Sequence, residues 1–359
     1  MSATFSMEKL LEKGQGTGAR ILDKLPRIVQ QQLSVALGFK HNFPDLHPFL
    51  KCLNAIQTKQ GKTTLIGQDP EKSRQVFEQQ MQSIATTPTN VEQVEDIRLN
   101  LQNGLIFARH YHPAPKKKLP LIVFYHGGGF VVGSLDTHDE ACRLLAKHAQ
   151  AQVLSIAYPL APEYSPQQLI QCCEDALAWV YQHRKQLNIY KERIAVCGDS
   201  AGGNISAVLA QRTANRAYAP SAQFLIYPAV DFKSRYSSYH LYKEGLVLTD
   251  QDIDNVTQFY ANQHNIALDD PIISPMFGDV DKVAPAFVVT AGHDVLHDEG
   301  EIYSRKLKQA GVKVEYHEIK DQTHGFINLT PVHGAAKKHY IQMIKQFKTF
   351  WKKNHRHKI

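Results

Sequence analysis

Two continuous apolar runs, Leu121-Ile122-Val123-Phe124-Tyr125 and Phe287-Val288-Val289-Thr290-Ala291, constrain this chain more than any other feature. A strand with one wet face alternates apolar and polar residues, so a run without alternation predicts a strand covered on both faces. Strands of that kind belong to mostly parallel sheets sandwiched between helices. From Val94 onward, short β-branched and aromatic runs recur as EDIRL, LIFARHY, LPLIVFYH, QVLSIAY, RIAVCG, AQFLIYP, AFVVTAG and VKVEYHEI, which gives eight strand candidates. Helical patterns over residues 136–150, 166–186, 200–216 and 298–310 separate the later ones, and a last helix is expected near 335–351. The expected fold class is α/β, with an eight-stranded, mostly parallel sheet flanked by helices.

Residues 1–88 carry Leu, Ile and Phe at three- and four-residue spacings, notably over 21–37 and 49–56, with almost no strand signal. They read as an N-terminal helical cap region. Residues 232–263 break the strand–helix rhythm with a Tyr-rich helical pattern and read as an insertion over the sheet edge. The expected organisation is a cap region (1–88), a first core part (89–231), a cap insertion (232–268) and a second core part (269–359).

Hydrophobic residues make up 43% of the 359 and charged ones 21%, which excludes disorder, collagen and coiled coil as descriptions of the whole chain. No stretch approaches the roughly 18 apolar residues of a membrane-spanning helix, and the N-terminus lacks a secretory cleavage pattern. A cytoplasmic enzyme is expected. The five cysteines are odd in number and contain no C-x-x-C, so they read as packed, reduced thiols. The net charge of +7 comes largely from Lys116-Lys117-Lys118 and the tail over 351–358, which look like solvated ends. No nucleic-acid partner is expected, because no basic stripe with interleaved aromatics lies on a recognisable module.

The strongest chemical signal is Gly198-Asp199-Ser200-Ala201-Gly202-Gly203, directly after one strand candidate and before a helical run. In a G-x-S-x-G elbow the glycines permit a turn too tight for side chains, which exposes the serine hydroxyl above the strand ends. His126-Gly127-Gly128-Gly129-Phe130 follows the strand LIVFY, and bare glycine amides there can turn toward a ligand. The amides of Gly127, Gly128 and Ala201 are the expected oxyanion donors. A hydroxyl nucleophile needs a base and the base an orienting acid. His324 lies in the loop after the last strand candidate and Asp294 follows AFVVTAG, so the order Ser200, Asp294, His324 is that of α/β hydrolases. Asp199 reads as a support of the turn. Asp298, with Glu301 three residues on, reads as a helix-start cap that points away from the base.

These residues resemble a known family, the hormone-sensitive-lipase-like esterases of the α/β-hydrolase superfamily. His126-Gly127-Gly128-Gly129 resembles its oxyanion motif, Gly198 to Asn204 its nucleophile motif, Asp294 to Gly300 its acid motif, and His324-Gly325-Phe326 its base motif. Tyr158-Pro159-Leu160-Ala161-Pro162-Glu163 is similar to a further segment that usually carries Arg where Pro159 stands. The resemblance implies an α/β-hydrolase fold with a helical cap, a small-molecule ester substrate of short to medium acyl chain, and a Ser-His-Asp acyl-enzyme mechanism without cofactor or metal. A homodimer is compatible with it. The competing readings are a non-catalytic receptor on the same fold, as in plant gibberellin receptors that lack the histidine, and an amidase, lactonase or deacetylase using the same triad.

Other motif matches point nowhere. His293-Asp294-Val295-Leu296-His297 nearly fits a zinc-protease motif, but it has Asp for Glu and follows a strand where that motif needs a helix. The glycine fingerprint over 14–19 lacks a preceding strand, and Gly61-Lys62-Thr63 lacks the upstream glycine of a phosphate loop. The sequons at Asn204, Asn255 and Asn328 matter only in a secreted chain.

Overall fold

The computed structural model describes residues 16–61, 64–102, 104–244 and 246–354. All eight strand candidates fall on the strands of one sheet: β1 (Gln93–Leu101), β2 (Gly104–His112), β3 (Leu119–Tyr125), β4 (Gln152–Ile156), β5 (Ile189–Asp199), β6 (Ala222–Ile226), β7 (Ala286–His293) and β8 (Val314–Thr323). Their order is β1-β2-β4-β3-β5-β6-β7-β8. The pairs β1/β2 and β2/β4 are antiparallel and every other pair is parallel.

The apolar runs lie in the middle of that order, and side-chain alternation divides them between two cores. Val123 faces Leu169 and Leu177 of α6 (Pro166–Gln182) and Ile205 of α7 (Ala201–Arg212), whereas its neighbour Phe124 joins a cluster with α5 (Asp139–Ala149) and α11 (Gly334–Asn354). On the same side as α7, α10 (His297–Gln309) packs Tyr303 and Leu307 against Val288. Phe124 is fully buried, so its removal to alanine would cost about 3–5 kcal/mol through lost transfer energy and the cavity left behind.

The N-terminal segment is helical in four pieces: α1 over described residues 16–24, α2 (Arg27–Ala36), α3 (Pro48–Lys59) and α4 (Pro70–Ile84). The single helix suggested by residues 21–37 is broken because Pro26, at φ −54° and ψ 143°, ends one helix and opens the next. Asp69 caps α4 by accepting from Lys72 N at 3.0 Å, with Pro70 at the first helical position. The Tyr-rich pattern after residue 232 also forms two helices, α8 (Ser237–Tyr242) and α9 (Asp250–Tyr260). Thr249 and Asp252 form a reciprocal capping box that starts α9 afresh. Asp252 also accepts from the amides of Leu65 and Ile66 at 2.7 and 2.8 Å, which ties the N-terminal segment to the segment after residue 232.

Strands β3, β5, β7 and β8 end at Tyr125, Asp199, His293 and Thr323. The next residue of each is one the sequence singles out: His126, Ser200, Asp294 and His324.

Candidate active site

Ser200 sits at φ 54° and ψ −116°, a conformation that non-glycine residues avoid. Surroundings hold it there: its amide donates to Ile226 O at 2.9 Å and its carbonyl accepts from Asn204 N at 3.0 Å. The elbow needs glycine at 202, because a Cβ there would lie 1.8 Å from the carbonyl oxygen of Tyr125.

Ser200 Oγ lies 2.9 Å from His324 Nε2, and His324 Nδ1 lies 2.7 Å from Asp294 Oδ2. A carboxylate can only accept, so Nδ1 carries the proton toward Asp294 and Nε2 is left to accept from the serine hydroxyl. Asp294 is oriented in turn, because Oδ1 accepts from Leu296 N at 2.9 Å and its side chain is fully buried. The Tyr227 ring packs against the imidazole at a centroid distance of 4.8 Å. Both His324 and Asp294 are buried, so the pair is held away from bulk water.

The expected oxyanion donors need one correction. Gly127 N donates to Asp199 Oδ1 at 2.8 Å, so this amide is already spent and cannot face a substrate oxygen. Among the described residues no protein acceptor meets the amides of Gly128 and Gly129, and Ala201 N belongs to the first turn of α7, which has no acceptor within the helix. That leaves the amides of Gly128, Gly129 and Ala201 as the candidate donors. Gly128 has φ +117°, and a Cβ on it would lie 2.2 Å from Val132 O, so this turn needs glycine. Asp199, expected to support its own turn, instead spends its carboxylate on the neighbouring loop at Gly127, with His138 and Tyr227 beside it. Burial pushes its carboxyl up, while His138 at 3.4 Å, the Gly127 amide and His126 outweigh burial and hold it below the ordinary range. Burial and the neighbouring His138 lower His126 to about 3, so it stays neutral behind the loop. Nothing in the sequence pattern around His138 announces this support, whereas Gly129 is simply the third glycine of the triplet.

Asp298 also differs from expectation. It is not the cap of α10: Leu296 precedes that helix with no side-chain cap. Instead Asp298 Oδ2 accepts from Ser238 N at 2.9 Å, and Ser238 Oγ donates to Val295 O, which fastens α8 over the site. Asp298 does point away from His324, for this different reason. Glu299 lines the cavity fully buried, accepting from Val230 N at 2.7 Å; burial pushes its carboxyl well above the usual range despite that bond.

His293 ends β7 and His297 opens α10, so the two do not share a helix face. No group of three His, Cys, Asp or Glu among the described residues could hold a metal ion. The fingerprints over 14–19 and 61–63 and the basic tail lie partly outside the described residues.

Ser200, His324 and the three donor residues open on a cavity of about 160 Å³. Its walls are mostly apolar and come from both helical segments and the core: Ile66, Phe77 and Met81 from the first, Ile253 and Val256 from the second, with Val295 and Leu296 from the loop after β7. A preformed apolar chamber with a nucleophile, a base and convergent N–H donors at one end is the arrangement acyl transfer requires.

A family model described as the α/β-hydrolase fold matches residues 122–328, more than half of the chain. An ethyl acetate hydrolase of Pseudomonas putida is 32% identical over 308 residues, covering 84% of this chain and 96% of that protein. The chain belongs to the hormone-sensitive-lipase-like esterases of the α/β-hydrolase superfamily. A carboxylic ester hydrolase of Mycobacterium tuberculosis is 40% identical to this esterase over 250 residues, 68% of this chain and 66% of that one. Among solved structures, an esterase of Pyrobaculum calidifontis superposes with a TM-score of 0.75 at 34% identity, covering 83% of this esterase and 97% of that chain. A thermostable esterase from Pseudomonas putida gives 0.80 at 28% identity, covering 86% and 98%.

Proposed function

We propose that this family member is a serine carboxylesterase that hydrolyses short- to medium-chain esters through an acyl-enzyme. That it is a hydrolase of ester bonds follows from its family; the mechanism and chain length are the finer reading. One observation carries it: Ser200 Oγ, His324 Nε2 and a buried Asp294 stand in one hydrogen-bonded line at the mouth of the apolar cavity.

His324 Nε2 takes the hydroxyl proton as Ser200 Oγ attacks the ester carbonyl carbon. The carbonyl oxygen becomes an oxyanion held by the amides of Gly128, Gly129 and Ala201. As the tetrahedral centre collapses, the alcohol leaves with the proton from His324. Water then repeats the sequence on the acyl-enzyme, giving its proton to His324, and the acid departs as Ser200 Oγ recovers one.

The chamber sets the chain length. An apolar cavity near 150 Å³ accommodates a benzene-sized molecule, which suits about four to six acyl carbons. In this reading residues 1–88 and 232–268 form the cap that closes the chamber, and no helix among the described residues is long and apolar enough to cross a membrane. A cytoplasmic location is part of the same reading.

A panel of p-nitrophenyl esters of increasing chain length, run beside an anilide, tests this. The optimum is expected at butyrate to hexanoate, with an organophosphonate labelling Ser200 alone. Long-chain emulsions turning over faster than soluble butyrate, a preferred anilide, or labelling at another serine of a folded protein would overturn it.

A further inference from the structure

We infer that Arg74 of α4 is a positioning residue for the oxyanion loop, so that the N-terminal segment sets the geometry of the Gly128 and Gly129 donors. The inference rests on the serine-esterase reading above.

The guanidinium makes four hydrogen bonds that meet at one place. Arg74 Nε donates to Val131 O at 2.9 Å, Nη2 to Ala161 O at 2.8 Å, and the fork Nη1/Nη2 to Glu163 Oε1 and Oε2 at 2.9 and 2.6 Å. Val131 belongs to the turn that carries the donors: the amides of Val131 and Val132 donate to Gly128 O at 3.1 and 2.9 Å. The preceding carbonyl, Phe130 O, accepts from Ala161 N at 2.9 Å. Two successive carbonyls of the loop are thus fixed against the 161–163 segment, one directly and one through Arg74. One turn along α4, Glu78 accepts from Ser134 Oγ at 3.0 Å and holds the far end of the same loop.

Pro159, where arginine was expected from the resemblance, has no side-chain donor for this task. The cation comes from the cap instead. Its ion pair with Glu163 is half exposed on the glutamate side, at 53%, and contributes little stability as a charge pair. What it supplies is direction, because a planar fork held by a bidentate carboxylate fixes where Nε points. Oxyanion donors act only within a few tenths of an ångström of about 2.7–3.1 Å, so a loop free to shift loses transition-state binding while ground-state binding in the apolar cavity persists.

The test compares wild type, Arg74→Ala, Arg74→Lys and Glu71→Gln on p-nitrophenyl butyrate, with rates expressed per Ser200 labelled by organophosphonate. Glu71 lies 3.6 Å from Arg74 on the exposed face of α4 and serves as the control. Arg74→Ala is expected to lower kcat about 10- to 100-fold, the scale of a misplacement near 1 Å, with KM little changed. Free guanidinium at low millimolar concentration should restore part of that loss and methylammonium should not. Arg74→Lys should fall between, and Glu71→Gln should match wild type. If Arg74→Ala does not melt cooperatively, Arg74→Lys decides on the same criteria. An unchanged kcat, a loss confined to KM, or a loss equally rescued by both cations would overturn the inference. A wild type that neither turns over esters nor takes the label would instead sink the serine-esterase reading itself.

Discussion

Replacing Asp294 by asparagine removes one charge and almost no volume, which isolates what the carboxylate does for His324. The substituted side chain would have one acceptor oxygen to divide between Leu296 N and His324 Nδ1. If the oxygen keeps Leu296 N, the amide NH2 faces the ring and drives the imidazole proton to Nε2, the atom that must accept from Ser200. The charge matters as well, because an imidazolium develops as the serine is deprotonated. A unit charge 2.7 Å away interacts with it by about 6 kcal/mol at an effective dielectric near 20, and by about 4 kcal/mol when taken between group centres roughly 4 Å apart. At about 1.4 kcal/mol per decade this predicts a fall in kcat of roughly 10³–10⁴, the scale found when a triad carboxylate is lost elsewhere. The assay is p-nitrophenyl butyrate turnover beside thermal melting, with Asp298→Asn as the companion. Asp298→Asn should keep kcat within about tenfold and act mainly on KM, because Asp298 fastens α8 and not the imidazole. A normally melting Asp294→Asn enzyme within tenfold of wild type would refute the reasoning, as would an inactive Asp298→Asn.

Gly128→Ala, which places a methyl 2.2 Å from Val132 O at a positive φ, should lower kcat by at least about 10²-fold, and wild-type turnover would remove Gly128 from the donor set. Asp199→Ala strands both the Gly127 amide and His138, so it should cost about 3–5 kcal/mol in urea unfolding; an unchanged midpoint would contradict the bond. Acid should destabilise the protein well before carboxylates titrate. Burial first, then cationic neighbours, lowers His47 to about 4, and burial with His138 lowers His126 to about 3. Below the unfolded value near 6.5 the unfolded chain binds protons that the folded one refuses, so stability is complete above about pH 6.5 and drains away toward pH 4 and below. Urea midpoints from pH 7 to 4 should decline, less steeply in His47→Asn, and a flat profile would refute this.

The sheet was legible because burial on both faces writes itself as an unbroken apolar run, and the elbow because its glycines and serine fall together between a strand pattern and a helical one, although what forces Gly202 is the distant Tyr125 carbonyl. The misreadings share one cause, a partner far away in the chain. Gly127 and Gly128 look alike until Asp199, 72 residues later, occupies one of their amides. Asp298 has the spacing of a helix cap, yet its Oδ2 serves Ser238, 60 residues earlier, while Oδ1 meets the neighbouring His297. The break at Pro26 was readable and the fresh start of α9 at Thr249 was not, since a capping box inside a helical pattern looks like more helix. Arg74 is hidden for the same reason, because its partners Val131, Ala161 and Glu163 lie 57, 87 and 89 residues further on.

The bonds from Asp252 to the amides of Leu65 and Ile66 join residues 187 and 186 positions apart. On a ribosome adding about 5–20 residues per second, the segment around Leu65 waits roughly 10–40 s for Asp252 to emerge. Phe49 and Leu50 wait longer still, because their cluster is completed by Leu246 and Val332. This segment therefore receives its last contacts only after most of the sheet has been made. During that interval Ile66 lacks the cover of Val256 and Phe49 that of Val332, so the chamber is walled only after both have emerged.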